Sequence, residues 1–169
     1  GHARIPNLAA LGLGNLPPTC SSAREAIPTA GFGRLAERSA GKDTATGHWE
    51  MMGLLTETAF KLYPEGFPAS LIERFTKETG RGVLGNKAAS GTEILKELGE
   101  EHLRTGSLIV YTSGDSVFQI AAHESIIPPT ELWHICRIAR RIMTGDHAVG
   151  RIIARPFEGC ERFFSRSRS

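Results

Sequence analysis

The sequence predicts an α/β fold, with a small mixed sheet and packed helices from about residue 59 onward. Three segments carry that expectation. "LIVYT" (Leu108–Thr112) is a β-rich run, preceded by Gly106 and closed by "SGD". "PPTELWHICRIARRIMTG" sets Leu132, Ile135, Cys136, Ala139, Ile142 and Met143 at helical spacing on one stripe. "VGRIIARPF" reads as a strand ended by Pro156. Helices alternate with strands, and no repeat of fixed period interrupts them.

Taken in order, "IPNLAALGLGN" reads as a short helix entered through Pro6 and stopped by Gly12 and Gly14. "LPPTCSS" is turn-like, and "AREAIPTAGFGRLAERSAG" offers a short strand and then a helical turn. "FPASLIERFTKETG" has Pro68 near its first helical position, Leu71, Ile72 and Phe75 on one face, and Gly80 past its end. In "SGTEILKELGEEH", Ser90 and Glu93 have capping-box spacing and Ile94, Leu95 and Leu98 form the stripe, with Gly99 as a point of interruption. "SVFQIAAH" is apolar, but its period does not separate strand from helix. Thr130 is the expected N-cap of the long helix and Gly145 its stop.

The chain has 169 residues, 40% hydrophobic and 22% charged, as in a soluble globular protein able to bury a core. Its net charge of +2 is too small to point to nucleic acid or an anionic membrane. No apolar run approaches the roughly 18 residues of a membrane span, and no basic segment leads into an apolar one as in a signal peptide. Cys20, Cys136 and Cys160 are widely spaced, with no CxxC, and are expected to be reduced thiols of a cytoplasmic protein. The first residue is Gly rather than Met, as in a processed, engineered or partial chain. The six histidines form no HxH or HxxxH pair, and His123 with Glu124 supplies two metal ligands where a site needs more. His134 is expected to be structural or exposed.

"GKDTATGHWEMMG" (residues 41–53) concentrates Lys42, Asp43, Thr44, Thr46, His48 and Glu50 between glycines. A Thr hydroxyl is a poor nucleophile until a base or metal takes its proton. Lys42, and a helix beginning near Thr44, would favour an anion there. The plain structural alternative is a glycine-bounded loop capped by Asp43 or Thr44.

This segment resembles the nucleophile motif of the phosphopentomutases, metal-dependent isomerases of the alkaline phosphatase superfamily. The resemblance extends through "YPEGFPASLIERF", some forty residues from "GNKAASGTEIL" to "FQIAAHE", and "VGRIIARPF". It implies interconversion of α-D-ribose 1-phosphate, or its 2-deoxy analogue, with the 5-phosphate in nucleoside and pentose phosphate catabolism. It further implies a phosphothreonine at Thr44, two Mn²⁺ ions, and a bisphosphorylated sugar as activator and intermediate. By motif match, Ser113, Asp115, Val117, Arg151, Ile153 and Arg166 contact substrate. A pentose phosphate is then the expected partner, with no nucleic acid and no membrane. Without the resemblance, Asp115 would be an Asx-turn residue and Arg151 a solvated strand residue.

The resemblance assigns residues 1–58 to part of an alkaline-phosphatase-like core and 59–169 to a substrate-binding cap. The aspartate and histidine segments that hold the family's metals have no counterpart here, so the isolated chain is expected to be inactive, and the only metal contact it could offer is Thr44. After "ARPFEG" the tail departs from the family pattern, although Phe164 and Arg166 keep register, and reads as a shifted frame or damaged end. Two other readings stand beside this one: a mutase of the cofactor-independent phosphoglycerate class, and a sugar-phosphate-binding module without chemistry.

Overall fold

A computed structural model describes residues 4–17, 27–160 and 164–167. The chain forms two compact units, Gly1–Arg38 and Ser39–Ser169. The boundary implied by the resemblance, between residues 58 and 59, therefore falls inside the second unit. Cys20 lies outside the described residues.

In the first unit, helix α1 (Pro6–Ala10) has Pro6 in its first turn, where a missing N–H costs nothing. Gly12 then takes φ 99°, which favours glycine, and a 3₁₀ turn follows over Leu13–Asn15. The expected strand and helical turn are absent from residues 27–40, which hold neither helix nor strand; residues 22–26 lie outside the described set. Three glycines and a proline within 28–41 explain the failure, since each weakens regular backbone pairing.

The second unit contains α2 (Thr44–Met51), α3 (Ala69–Thr79), β1 (Val83–Ala88), α4 (Gly91–Thr105), β2 (Leu108–Thr112), β3 (Val117–His123), α5 (Pro129–Ile142), β4 (Arg151–Glu158) and β5 (Ser165–Arg166). The strands form one sheet in sequence order. β1 is parallel to β2, β2 antiparallel to β3, β3 parallel to β4, and β4 antiparallel to β5. The β1–α4–β2 and β3–α5–β4 crossovers step the same way across the sheet, but their strands run in opposite directions. Crossovers of one hand then put the two helices on opposite faces.

The packing follows that rule. Leu108, Val110, Phe118, Ile120 and Ala122 pack with Phe75 of α3 and Leu132, Ile135 and Ile142 of α5. The alternate residues Ile109, Tyr111 and Ala121 pack with Ile94 of α4 and Phe157 of β4. This is strand period-2 alternation with both faces covered, which is why "LIVYT" and "VFQIAA" read as unbroken apolar runs. Burying each large apolar side chain contributes about 1.5–3 kcal/mol.

Caps set the helix ends. Ser90 Oγ accepts the Glu93 N–H at 3.2 Å, while the Glu93 carboxylate turns to Lys96 Nζ at 3.4 Å. Gly80 and Gly106, both at φ 68°, close α3 and α4. Gly99 does not interrupt α4. It is buried, and a Cβ there would run into the Phe164 ring, so the glycine makes room for the tail to pack. Thr130 does not cap α5: the helix starts at Pro129, with Pro128 as N-cap and no side-chain cap bond. The two prolines fix the entry by their restricted φ.

Pro156 does not end β4, which continues to Glu158. The Pro156 carbonyl accepts from Ser167 N–H, so this residue turns its main chain toward the short β5 side. The missing N–H is therefore lost from the edge and not from the β3 ladder.

Candidate functional site

Helix α2 holds the reactive segment. Asp43 is its N-cap, with Oδ1 accepting the Thr46 N–H at 3.1 Å and Oδ2 accepting the Thr46 hydroxyl at 2.6 Å. Asp43 and Thr46 are both buried. This fixes Thr44 as the first helical residue, exposed, beside backbone N–H groups that have no intrahelical acceptor.

Three sequence-flagged residues from distant segments meet there. The Thr44 hydroxyl donates to Asp115 Oδ2 at 3.2 Å, and Arg151 Nη2 donates to the same oxygen at 2.8 Å. Asp115 lies in the β2–β3 turn, and Arg151 opens β4 opposite Val117. The Asp115–Arg151 pair is half-exposed on both sides, so its net stabilisation is small, about 1 kcal/mol or less. Its effect is orientation: one carboxylate oxygen is shared by a hydroxyl and a guanidinium.

Two residues that the sequence reading did not single out for this site bring the segments together. Ser116 Oγ donates to the Lys61 carbonyl at 2.8 Å and accepts the Gly150 N–H at 3.2 Å, while its own carbonyl accepts the Arg151 N–H at 3.2 Å. Ser116 thus ties the starts of β3 and β4 to the chain leaving α2. Gly150 is the second: a Cβ there would stand 3.3 Å from Asp43 Oδ1 and 3.3 Å from the Ser116 carbonyl. A glycine next to "RIIAR" is the one sequence signal that could have marked this close approach.

The remaining flagged residues divide. Val117 is buried, and Ile153 pairs with Gln119 in the β3–β4 ladder. Ser113 is half-buried at the head of the turn. Val117, Gln119, Arg151, Ile153 and Arg155 share one sheet face by alternation and register. Arg166, exposed on β5, does not join Thr44; it lines a separate cavity of about 360 Å³ with Gly91, Thr92, Tyr111, Gln119 and Arg155. Arg155 holds the Gln119 side-chain oxygen through Nε and Nη2, at 3.1 and 3.0 Å. Burial raises the Tyr111 phenol above its ordinary value, with Arg155 opposing.

His48 Nδ1 lies 2.7 Å from the Thr44 carbonyl, one helical turn back. A carbonyl only accepts, so Nδ1 carries the proton and the ring serves its own helix. Cys136 is inert: burial pushes its thiol up to about 11. No group of three or more His, Cys, Asp or Glu side chains among the described residues is placed to hold a metal ion. The carboxylate beside Thr44 is already engaged by Arg151. The residues present therefore do not fit a two-metal centre. No helix among the described residues is long and apolar enough to cross a membrane.

No family model matches the chain. Curated proteins do. The phosphopentomutase of Clostridium novyi is 58% identical over 167 residues, 99% of this chain and 43% of the relative. That of Caldanaerobacter subterraneus is 59% identical over 164 residues, 97% of this chain and 42% of the relative. That of Carboxydothermus hydrogenoformans is 55% identical over 167 residues, with 99% and 43% covered. The chain thus spans about two-fifths of the length of these relatives. Its mixed α/β fold and its identity of more than half over nearly its whole length place it in the phosphopentomutase family, as a stretch of about two-fifths of such a chain.

Proposed function

We propose that this sequence supplies the nucleophile and the sugar-facing groups of a phosphopentomutase, which moves a phosphoryl group between the 1- and 5-oxygens of ribose or 2-deoxyribose. The observation that carries the reading is the meeting of Thr44, Asp115 and Arg151 on one carboxylate oxygen. Thr44 takes the phosphoryl group, and a bisphosphorylated sugar primes it.

Phosphoryl transfer depends on position and charge balance more than on covalent assistance from the protein. Phosphorylated Thr44 has no hydroxyl proton to give Asp115 and adds about −1.5 to −2 charge nearby. Arg151 is the neighbouring cation that turns to that charge. The attacking sugar hydroxyl then takes the place of Thr44 as donor to Asp115 Oδ2. As the new P–O bond forms and the Thr44–phosphorus bond breaks, the proton passes from the sugar hydroxyl through Asp115 to Thr44 Oγ. The same exchange in reverse, at the other end of the bisphosphorylated sugar, completes the isomerisation. The two Mn²⁺ ions of the family have no ligand set among the described residues, so no step is assigned to them. Their ligands would come from the part of a full-length relative without counterpart here.

The test is a chimera in which this chain replaces the aligned stretch of the Clostridium novyi enzyme. It is assayed with Mn²⁺ for conversion of ribose 1-phosphate to the 5-phosphate. Turnover and a phosphothreonine at Thr44, both lost in Thr44→Ala, are expected. Full turnover in Thr44→Ala would refute the reading. The isolated chain is expected to show neither turnover nor tight Mn²⁺ binding by calorimetry.

A further inference from the structure

We propose that Gln119 is a further substrate-binding residue: its side-chain nitrogen, aimed into the cavity beside the first turn of α4, donates to the phosphate on the end of the sugar remote from Thr44. The inference rests on the mutase reading of the Thr44 site. Gln119 is 5% exposed, so its amide is in effect a core group. Its oxygen accepts both Nε and Nη2 of Arg155. A guanidinium only donates, so this pair fixes which end of the amide faces which way, with the nitrogen on the side away from Arg155. No hydrogen bond among the described residues takes that nitrogen. Yet no side-chain nitrogen or oxygen sealed from solvent among them lacks a partner, so Nε2 opens on the cavity that Gln119 lines. Burying an amide with two unused donors is costly unless a ligand or water accepts from them.

The rest of the cavity's polar lining selects an anion. Arg155 and Arg166 bring positive charge, Tyr111 and Thr92 bring hydroxyls able to donate, and no Asp or Glu is among the described lining residues. Gly91 and Thr92 open a helix of 15 residues. Ser90 Oγ takes the Glu93 N–H, which leaves the N–H groups of Gly91 and Thr92 without an intrahelical acceptor. A Cβ at Gly91 would stand 3.0 Å from the Tyr111 hydroxyl, so the glycine lets the helix start lie close to the sheet. Donors from sheet, helix and edge strand, with positive charge and no carboxylate, suit a phosphate ester and not a free hydroxyl or a cation.

The sheet register ties this cavity to Thr44. Arg151, which shares the Asp115 oxygen with Thr44, pairs with Val117. Gln119 pairs with Ile153, two residues further along both strands and on the same face. That step is about 7 Å, within reach of one sugar whose reacting end lies at Thr44. A phosphate beside Gln119 is then the one that stays on the sugar while the other moves, and Gln119 favours phosphorylated over unphosphorylated pentose.

Two variants separate a donor to ligand from a mere support of Arg155. Gln119→Glu keeps an oxygen for Arg155 but puts an acceptor and a negative charge where Nε2 stood. Gln119→Met has neither, so it frees Arg155 and leaves that point of the cavity neutral. Ribose 5-phosphate binding is measured by calorimetry in the Thr44→Ala form of the chimera described above, without Mn²⁺. That protein has neither the threonine nor the metals to hold a phosphate at residue 44. Binding should weaken roughly tenfold or more in Gln119→Glu and less, roughly threefold, in Gln119→Met. The urea midpoint of each variant sets conditions under which it is folded. Weaker binding by Gln119→Met than by Gln119→Glu would show that the amide only holds Arg155, and would overturn the proposal. So would affinities equal to that of the parent in both variants, or a parent that binds no ribose 5-phosphate, whether or not it takes inorganic phosphate. The expected order in a chimera whose Thr44 is never phosphorylated would uphold Gln119 while refuting the chemistry proposed at Thr44. The reverse order with turnover intact would leave that chemistry standing.

Discussion

The Thr44 hydroxyl and the Asp115 carboxylate, 71 residues apart in sequence, are joined by a hydrogen bond of 3.2 Å. Asp115→Ala in the chimera should still allow phosphothreonine to form, but should slow its transfer to sugar by about 10²-fold, because the acceptor hydroxyl loses its orienting partner. Asp115→Asn keeps an acceptor oxygen but cannot take a proton, so it should recover only part of the rate. Phosphothreonine content by mass spectrometry, read beside the mutase rate, checks both variants. Normal kinetics in Asp115→Ala would return this residue to turn formation.

Ile135 is buried between α5 and the sheet. Ile135→Asp places a charge there without a partner and should cost several kcal/mol, about 3–5. The urea midpoint measures the loss. An unchanged midpoint would mean that the stripe does not pack as described.

Replacing a mid-helix glycine by alanine normally stabilises by about 0.5–1 kcal/mol. At Gly99 the sign should reverse, since the new Cβ meets the Phe164 ring. In a Phe164→Ala background the obstacle is gone and Gly99→Ala should regain its usual benefit. Thermal melts of the four proteins of this cycle give the sign directly. Stabilisation by Gly99→Ala in the unaltered background would mean that Phe164 does not pack there.

His102 is fully buried, with Nε2 accepting the His123 N–H at 2.8 Å and Nδ1 facing the Ser107 carbonyl at 2.6 Å. The ring is therefore neutral, with its proton on Nδ1. Burial holds its pKa below the ordinary histidine value, with the Ser107 carbonyl opposing and His123 and Arg81 adding to the depression. An unfolded histidine takes up a proton near pH 6.5, while the native ring resists it. Stability from this group is thus complete above about pH 6.5 and falls as the pH drops below that, by at most about 1.4 kcal/mol per pH unit, until the native ring also protonates. His102→Phe should flatten this part of the urea-midpoint profile between pH 7.5 and 5, whatever its effect on stability at pH 7.5. An unchanged slope would assign the acid sensitivity to other groups.

Much of the second unit was legible because its signals are local and repeated. The α5 stripe, the Ser90 cap and the glycine stop of α3 each follow from a few neighbouring residues. Two of the misreadings share one cause, a local rule overruled by a distant partner. Gly99 is set by Phe164 and Pro156 by a short edge strand, while at Thr130 two prolines fix the helix entry. The same limit applies to the site. Thr44, Asp115 and Arg151 could each be marked by motif, but their convergence depends on Ser116 and Gly150, whose contacts span 34 or more residues. The separation of Arg166 from Thr44 was likewise not written in its register with the family pattern.

Pro156 has a consequence beyond the length of β4. With no N–H facing outward there and only two residues in β5, that margin of the sheet offers an incoming strand an interrupted ladder. The opposite margin is blunted by different means. Asn86 bulges out of β1 at φ 51°, and its side-chain amide grips both the N–H and the carbonyl of Phe67, at 2.8 and 2.9 Å. A five-stranded sheet rich in valine and isoleucine would otherwise be a template for polymerisation from both sides. This one carries at each margin a single residue whose backbone breaks the pattern.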